Sequence, residues 1–183
     1  MTAPPDPCVL PGSCVLVVMG VAGSGKTTLA TTLAQRLGWP LQEGDALHPP
    51  ENVARMAGGT PLTDADRWPW LARIAAWIDA RLAAGENGIV TCSALKRSYR
   101  NRIIGSRGGV RLVFVHGPPD LLAARLAARR GHFMPPALLA SQLATLEPPA
   151  PAERAIPVDA AAPPEAQAAD VIAALEADNC PDA

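Results

Sequence analysis

"CVLVVMGVAGSGKTTLATTLAQRLG", residues 14–38, decides the fold. Its opening apolar run, ending at a glycine, reads as a strand buried on both faces. From Lys26 onward the apolar positions recur at helical spacing and stop at Gly38, a suitable residue just past a helix end. Between the two lies Gly20–Thr27, "GVAGSGKT", which matches G-x-x-x-x-G-K-[ST] in the strand–loop–helix setting that motif requires. Backbone N–H groups can surround a phosphate only where no Cβ blocks the approach, hence Gly20, Gly23 and Gly25. Val21, Ala22, Ser24 and Thr28 complete the loop, and the helix beginning near Lys26 points its positive end at the same anion. Lys26 can reach the β and γ phosphates, and Thr27 can offer its hydroxyl to Mg²⁺. Each close charge contact is worth about 4 kcal/mol at an effective dielectric near 20. The loop therefore predicts a bound nucleoside triphosphate.

Outward from this stretch, "GIVTCSA" and "VRLVFVHG" are further buried-strand candidates and "RAIPVDA" a weaker one. Helical periodicity covers 67–84, 95–104, 119–130, 136–146 and 165–177. Strands alternating with helices predict an α/β fold with a parallel sheet covered on both faces. In "TDADRWPWLARIAAWI", Asp66 as N-cap places Pro69 in the first turn, where N–H groups have no partner anyway. Leu71, Ile74, Trp77 and Ile78 then share a core stripe. Residues 1–13, rich in Pro and small polar groups, read as a flexible leader, 14–178 as one domain and 179–183 as a tail.

Composition narrows the function. The 183 residues suit a single domain, and 49% hydrophobic content is far above that of a disordered chain. A formal net charge of -1 provides no basic face for a nucleic-acid backbone. Cys8, Cys14, Cys92 and Cys180 show neither CxxC spacing nor a paired framework, which fits a reducing compartment with Cys92 in the core. The longest apolar run is too short to span a bilayer, and the start of the chain lacks a secretion signal, so a cytoplasmic protein without membrane partners is expected. Lys26 and Lys96 are the only lysines, among many arginines. Chance would account for this; so would two sites that need a compact point charge on a flexible stem.

Binding a triphosphate leaves open the fate of its γ-phosphate. A GTPase-type switch would want N-K-x-D, and that motif is absent. "GIVTCSA" also ends in Thr, Cys and Ser, without the aspartate that usually helps hold Mg²⁺ at a strand end. "EGDALHPPENVARM", residues 43–56, offers a carboxylate instead. Asp45 follows the expected second strand, near the carboxyl end of the sheet where open α/β proteins bind ligands. It could accept the proton of an attacking hydroxyl or help hold Mg²⁺ through water; capping the next turn is its plain alternative. His48 and Arg55 stand close by. In "TCSALKRSYR" a helix starting near Ser93 would put Lys96, Tyr99 and Arg100 on one face, able to hold an anionic acceptor or merely to face solvent. "RLAARRGHFMP" sets Arg125 and Arg129 four apart before a glycine break, as a closing lid or a simple helix end would.

Taken together, "GVAGSGKTT", "EGDALHPPENVARMAGGTPLTDADRWPWL", "CSALKRSYR" and "RRGHFMPPALLASQLATLEPP" resemble the gluconate kinase family of small P-loop kinases. The resemblance spans roughly residues 14–148, and its acceptor motifs are far more specific than the phosphate loop. It implies a nucleoside-monophosphate-kinase-like fold with about five parallel strands and a lid, a homodimer, and ATP- and Mg²⁺-dependent phosphorylation of D-gluconate at its 6-hydroxyl. Asp45 would orient or deprotonate that hydroxyl. His48, Arg55, Arg67, Lys96, Tyr99 and Arg100 would hold the polyol and carboxylate. Arg125, Arg129 and His132 would close over the triphosphate. Another small-metabolite kinase on the same scaffold, shikimate-like, is the nearest alternative, and a regulatory NTP-binding protein a more distant one.

Overall fold

In the computed structural model, which describes residues 12–58, 60–128 and 136–179, five strands pair entirely in parallel. They are β1 (Val15–Met19), β2 (Leu41–Gln42), β3 (Gly88–Thr91), β4 (Val110–His116) and β5 (Ile156–Asp159), in the order β2-β3-β1-β4-β5. Around them lie α1 (Lys26–Leu37), α2 (Pro50–Ala57), α3 (Asp64–Ala83), α4 (Arg97–Ile103), α5 (Pro119–Ala128), α6 (Pro136–Thr145) and α7 (Pro164–Asn179). The chain leaves central β1 toward β2 and β3 on one side and later crosses to β4 and β5 on the other. Such a reversal opens a crevice at the carboxyl end of the sheet, and the loop after β1 sits in it.

The continuous apolar character of β1 follows from having a core on each face. Leu16 and Val18 pack with Leu29 and Leu33 of α1 and with Val171 and Leu175 of α7. Val15, Val17 and Met19 face the other way, onto Trp70, Leu71, Ile74 and Ile78 of α3 and Tyr99 and Ile103 of α4. Each fully buried aliphatic side chain contributes about 1.5–3 kcal/mol. Pro157 interrupts the apolar pattern of β5 yet costs no ladder bond, because β5 is an edge strand paired only with β4. Cys92 is in the core as expected, 1% exposed, and burial first of all raises its thiol pKa to about 12.

Three local expectations need correction. The long helix α3 starts at Asp64, not Arg67: Thr63 is the N-cap, and Asp66 returns a bond to the Thr63 N–H in a capping box. Pro69 is therefore interior to the helix and forgoes a bond to the Ala65 carbonyl, a cost outweighed by the buried stripe from Trp70 to Ile78. Helix α4 starts at Arg97 rather than near Ser93, because the chain turns through left-handed Ala94 (φ 45°) and Lys96 stays extended as N-cap. Finally, α2 lies outside the helical spans expected from periodicity, with Pro50 at its first position, where a missing N–H costs nothing. Of the leader and the tail, residues 1–11 and 180–183 lie outside the described residues.

Candidate active site

The phosphate loop has the geometry its glycines predict. Gly20, Gly23 and Gly25 all take positive φ, and Gly25 is the left-handed N-cap of α1. A Cβ on Gly20 would lie 2.4 Å from the Val115 carbonyl oxygen, so no larger residue could pass there. Lys26 curls back over the loop and donates to the Val21 carbonyl at 3.0 Å. Arg125 reaches in from α5: its Nη1 would lie 3.6 Å from a Cβ on Gly25. Arg129 and His132, expected to close over the triphosphate, lie outside the described residues. From α6, Gln142 accepts a 2.6 Å bond from the Ala22 N–H, tying a helix distant in sequence to the loop.

The carboxylate beside Thr27 is one the sequence reading passed over. Glu43 Oε2 accepts a 2.6 Å bond from Thr91 Oγ1 and lies 3.4 Å from Thr27 Oγ1. Its Oε1 is buried and has no hydrogen-bond partner among the described residues. Leaving a carboxylate oxygen so placed is expensive unless a cation or its hydration shell completes it. An oxygen pair made of a hydroxyl and a carboxylate suits Mg²⁺, which keeps several waters and takes few protein ligands. The residues present therefore fit the metal, with Thr27 and Glu43 as its neighbours.

Glu43 and Asp45 are separated by a glycine for a physical reason. Gly44 presses so closely on β3 that a Cβ would lie 1.9 Å from the Thr91 carbonyl oxygen. Its N–H donates to Thr91 Oγ1 at 3.1 Å, and its carbonyl accepts from Trp70 Nε1 at 2.7 Å. Asp45 follows in a short 3-10 turn, Gly44–Leu47, and is exposed. The charges of Asp45 and Lys26 both act on the buried Cys92 thiol, and those of Asp45 and Arg67 both act on His48. Asp45 follows directly on Gly44, whose backbone is tied to Thr91 of β3 on one side and Trp70 of α3 on the other.

That cluster assembles on the first turns of α3 and α4. His48 stacks on Trp70, with ring centroids 4.2 Å apart. Burial lowers the His48 pKa below its usual 6.5, Asp45 raises it and Arg67 lowers it further, so the ring is neutral at pH 7. Asn52 bridges the region, bonding the Asp66 carbonyl at 2.7 Å and approaching His48 Nδ1 at 3.4 Å. Arg55 pairs with the Asp66 carboxylate at 2.9 Å. Lys96 and Tyr99 converge on Asp64, a residue not singled out from sequence. Lys96 Nζ lies 2.8 and 3.0 Å from its two oxygens, and Tyr99 Oη donates to Oδ1 at 2.5 Å. Arg67 completes the group, 3.7 Å from Asp64 Oδ1 and 3.5 Å from Tyr99 Oη. The bonds from Lys96 and then Tyr99 hold the Asp64 pKa below its ordinary value, and the bond to Asp64 raises that of Lys96.

Arg100 does not join them, which corrects the expectation of a shared cationic face. Only 1% of its side chain is exposed. The guanidinium forks onto Glu153 at 2.6 and 3.0 Å, and Nη1 donates to the carbonyls of Ala94, Leu95 and Glu147. With α4 starting at Arg97, Lys96 precedes the helix and points to Asp64, while Arg100 turns into the interior. It is a clamp between the start of α4 and the segment after α6. The clue was available in the sequence: Glu147 and Glu153 flank the proline-rich "PPAPA" that must be held down.

Comparison with known proteins bears on this arrangement. An AAA domain family model matches residues 15–149. The gluconokinase of Gluconobacter oxydans (strain 621H) is 51% identical over 164 residues, covering 90% of this chain and 92% of that protein. Among solved structures, a gluconokinase from Sinorhizobium meliloti 1021 superposes with a TM-score of 0.80 at 48% identity, covering 93% of this chain and 94% of that one. An unliganded sugar kinase from Janibacter sp. HTCC2649 superposes with a TM-score of 0.83 at 48% identity, covering 90% and 95%.

Proposed function

The chain belongs to the gluconokinase family, and from that premise we propose that it transfers the γ-phosphoryl group of ATP to the 6-hydroxyl of D-gluconate at the carboxyl rim of its sheet. The observation that carries the reading is the run of contacts along that rim: Thr27 and Thr91 meet Glu43, Gly44 bonds Thr91 and Trp70, His48 stacks on Trp70, and Arg67, Tyr99 and Lys96 gather at Asp64. These contacts support a reading in which phosphate chemistry and anion recognition meet along one rim, with Asp45, the neighbour of Gly44, serving both.

In this reading the loop amides and the α1 N-terminus cradle the phosphates, and Lys26 and Arg125 offset charge as it builds on the transferring group. Mg²⁺, held near Thr27 and Glu43, supplies further neutralisation of the phosphate oxygens when bound. The hydroxyl oxygen forms a bond to the γ-phosphorus as the bond to the bridging oxygen breaks and ADP departs. Asp45 orients that hydroxyl and takes its proton. Lys96, Tyr99 and Arg67 receive the acceptor's carboxylate, while His48, neutral, and Arg55 meet its hydroxyls. Arg129 and His132 belong to the proposal as residues closing over the triphosphate. We extend it, on family membership alone, to a homodimer working in the cytoplasm; no helix among the described residues is long and apolar enough to cross a membrane.

A coupled assay of ADP release tests the assignment. D-gluconate should drive Mg²⁺-dependent turnover, and shikimate and AMP should be poorer by roughly 10⁴-fold, since a site built to pair several hydroxyls is left with unpaired polar groups by the wrong acceptor. Comparable rates with all of them would overturn it.

A further inference from the structure

The donors assigned to the acceptor's carboxylate already surround a carboxylate of the protein itself. Asp64 receives an ammonium on both oxygens, a phenol on one, and a guanidinium within 3.7 Å. This is the constellation a sugar acid would need: a point charge, a neutral donor and a planar cation around one anionic group. We propose that Asp64 is a resident stand-in for the substrate's carboxylate, holding Lys96, Tyr99 and Arg67 in place until a sugar acid displaces it. The inference rests on the reading that this cluster receives the acceptor.

Two further features support a displaceable role. Asp64 is the first residue of α3, yet Asp66 and Thr63 supply the capping box, so the Asp64 carboxylate is not needed to start the helix. Its side chain is 46% exposed and can turn outward to water, where an ionised carboxylate is well solvated. Burial of Arg100 also leaves Lys96 and Arg67 against Asp64, two positive charges against one negative. Displacing the internal anion exchanges one carboxylate for another without leaving either cation unpaired.

The arrangement has a consequence for selectivity. A tethered competitor acts at high effective concentration, on the order of millimolar. A simple carboxylate then gains little by replacing it, whereas an acid that also brings hydroxyls to His48 and Arg55 gains enough. Affinity for the true acceptor falls in proportion to the fraction of molecules in which the cluster is open.

The test compares Asp64→Asn and Lys96→Met in the full chain, with D-gluconate binding followed by titration calorimetry and acetate as a competing probe in the kinase assay. If Asp64 occupies the cluster about nine-tenths of the time, Asp64→Asn should tighten both D-gluconate and acetate by roughly tenfold, while Lys96→Met weakens both. An Asp64→Asn protein that binds D-gluconate more weakly while still inhibited no better by acetate would identify Asp64 as a direct partner of substrate hydroxyls and overturn the proposal. Unaltered binding in Lys96→Met would remove the cluster from acceptor recognition, and the stand-in with it, while leaving the kinase assignment to be judged by turnover. Asp64→Ser, with thermal melting as a control, separates these outcomes from a folding defect.

Discussion

Replacing Arg100 by methionine separates a clamp from a substrate contact. The substitution keeps much of the side chain's volume but removes every donor: the fork on Glu153 and the bonds to the Ala94, Leu95 and Glu147 carbonyls. Arg100 is 1% and Glu153 13% exposed, so solvent cannot replace what is lost without opening the segment. Removing one partner of such a buried pair costs about 3–5 kcal/mol, and for a chain of this size the melting temperature should fall by roughly 6–20 °C. The bond from Arg100, foremost, holds the Glu153 pKa below its ordinary 4.5. Such a carboxyl binds fewer protons folded than unfolded, so its contribution is fully present above about pH 4.5 and is lost as pH falls through the lower folded value. Urea titrations at pH 7 and at pH 3–4 should therefore show Arg100→Met much less stable than the parent at neutral pH and closer to it in acid. Glu153→Gln added to the variant should recover part of the loss, but not the part owed to the three carbonyls. KM for D-gluconate, measured where the variant is folded, should stay near the parent's. A variant of parental stability with a strongly raised KM would refute the clamp and return Arg100 to the acceptor.

Two further outcomes follow from the carboxylates on either side of Gly44. Glu43→Gln should raise the Mg²⁺ concentration needed for half-maximal turnover by about tenfold or more, the size of effect seen when groups around a metal site are altered; an unchanged Mg²⁺ titration would take Glu43 out of the metal's surroundings. Asp45→Asn should lower kcat by about 10²–10⁴-fold, the usual worth of a positioned base, while ATP binding measured by calorimetry is retained. Unchanged turnover would leave Asp45 no part in the proton transfer.

The sheet and the phosphate loop were legible because short-range rules govern them. A buried central strand must be apolar throughout, and a loop that wraps phosphate needs glycines at fixed places, so residues 14–38 carried both. The start of α3 is not legible from Pro69, because burial of the stripe from Trp70 to Ile78 outweighs the one bond an interior proline forgoes. Arg100 departs from the expected face for a related reason: left-handed Ala94 delays the helix beyond Ser93 and rotates the residue inward. Glu43, Asp64 and Gln142 gave no local signal. Their partners lie 48 residues away at Thr91, 32 and 35 away at Lys96 and Tyr99, and 120 away at Ala22, and only the folded chain brings them together.

The bond from the Trp70 indole to the Gly44 carbonyl makes α3 a measuring rod. One notch along it, at Trp70, holds the backbone next to the acid proposed to receive the reacting hydroxyl's proton; another, a little over a turn and a half earlier at Asp64, marks the cluster proposed to grip the far end of the acceptor. Because Gly44 is wedged against Thr91 with no slack, the gap between those notches is set by helix pitch rather than by loop motion. On the proposed assignment, the length of the acceptor is gauged by the same backbone that holds the chemistry in register.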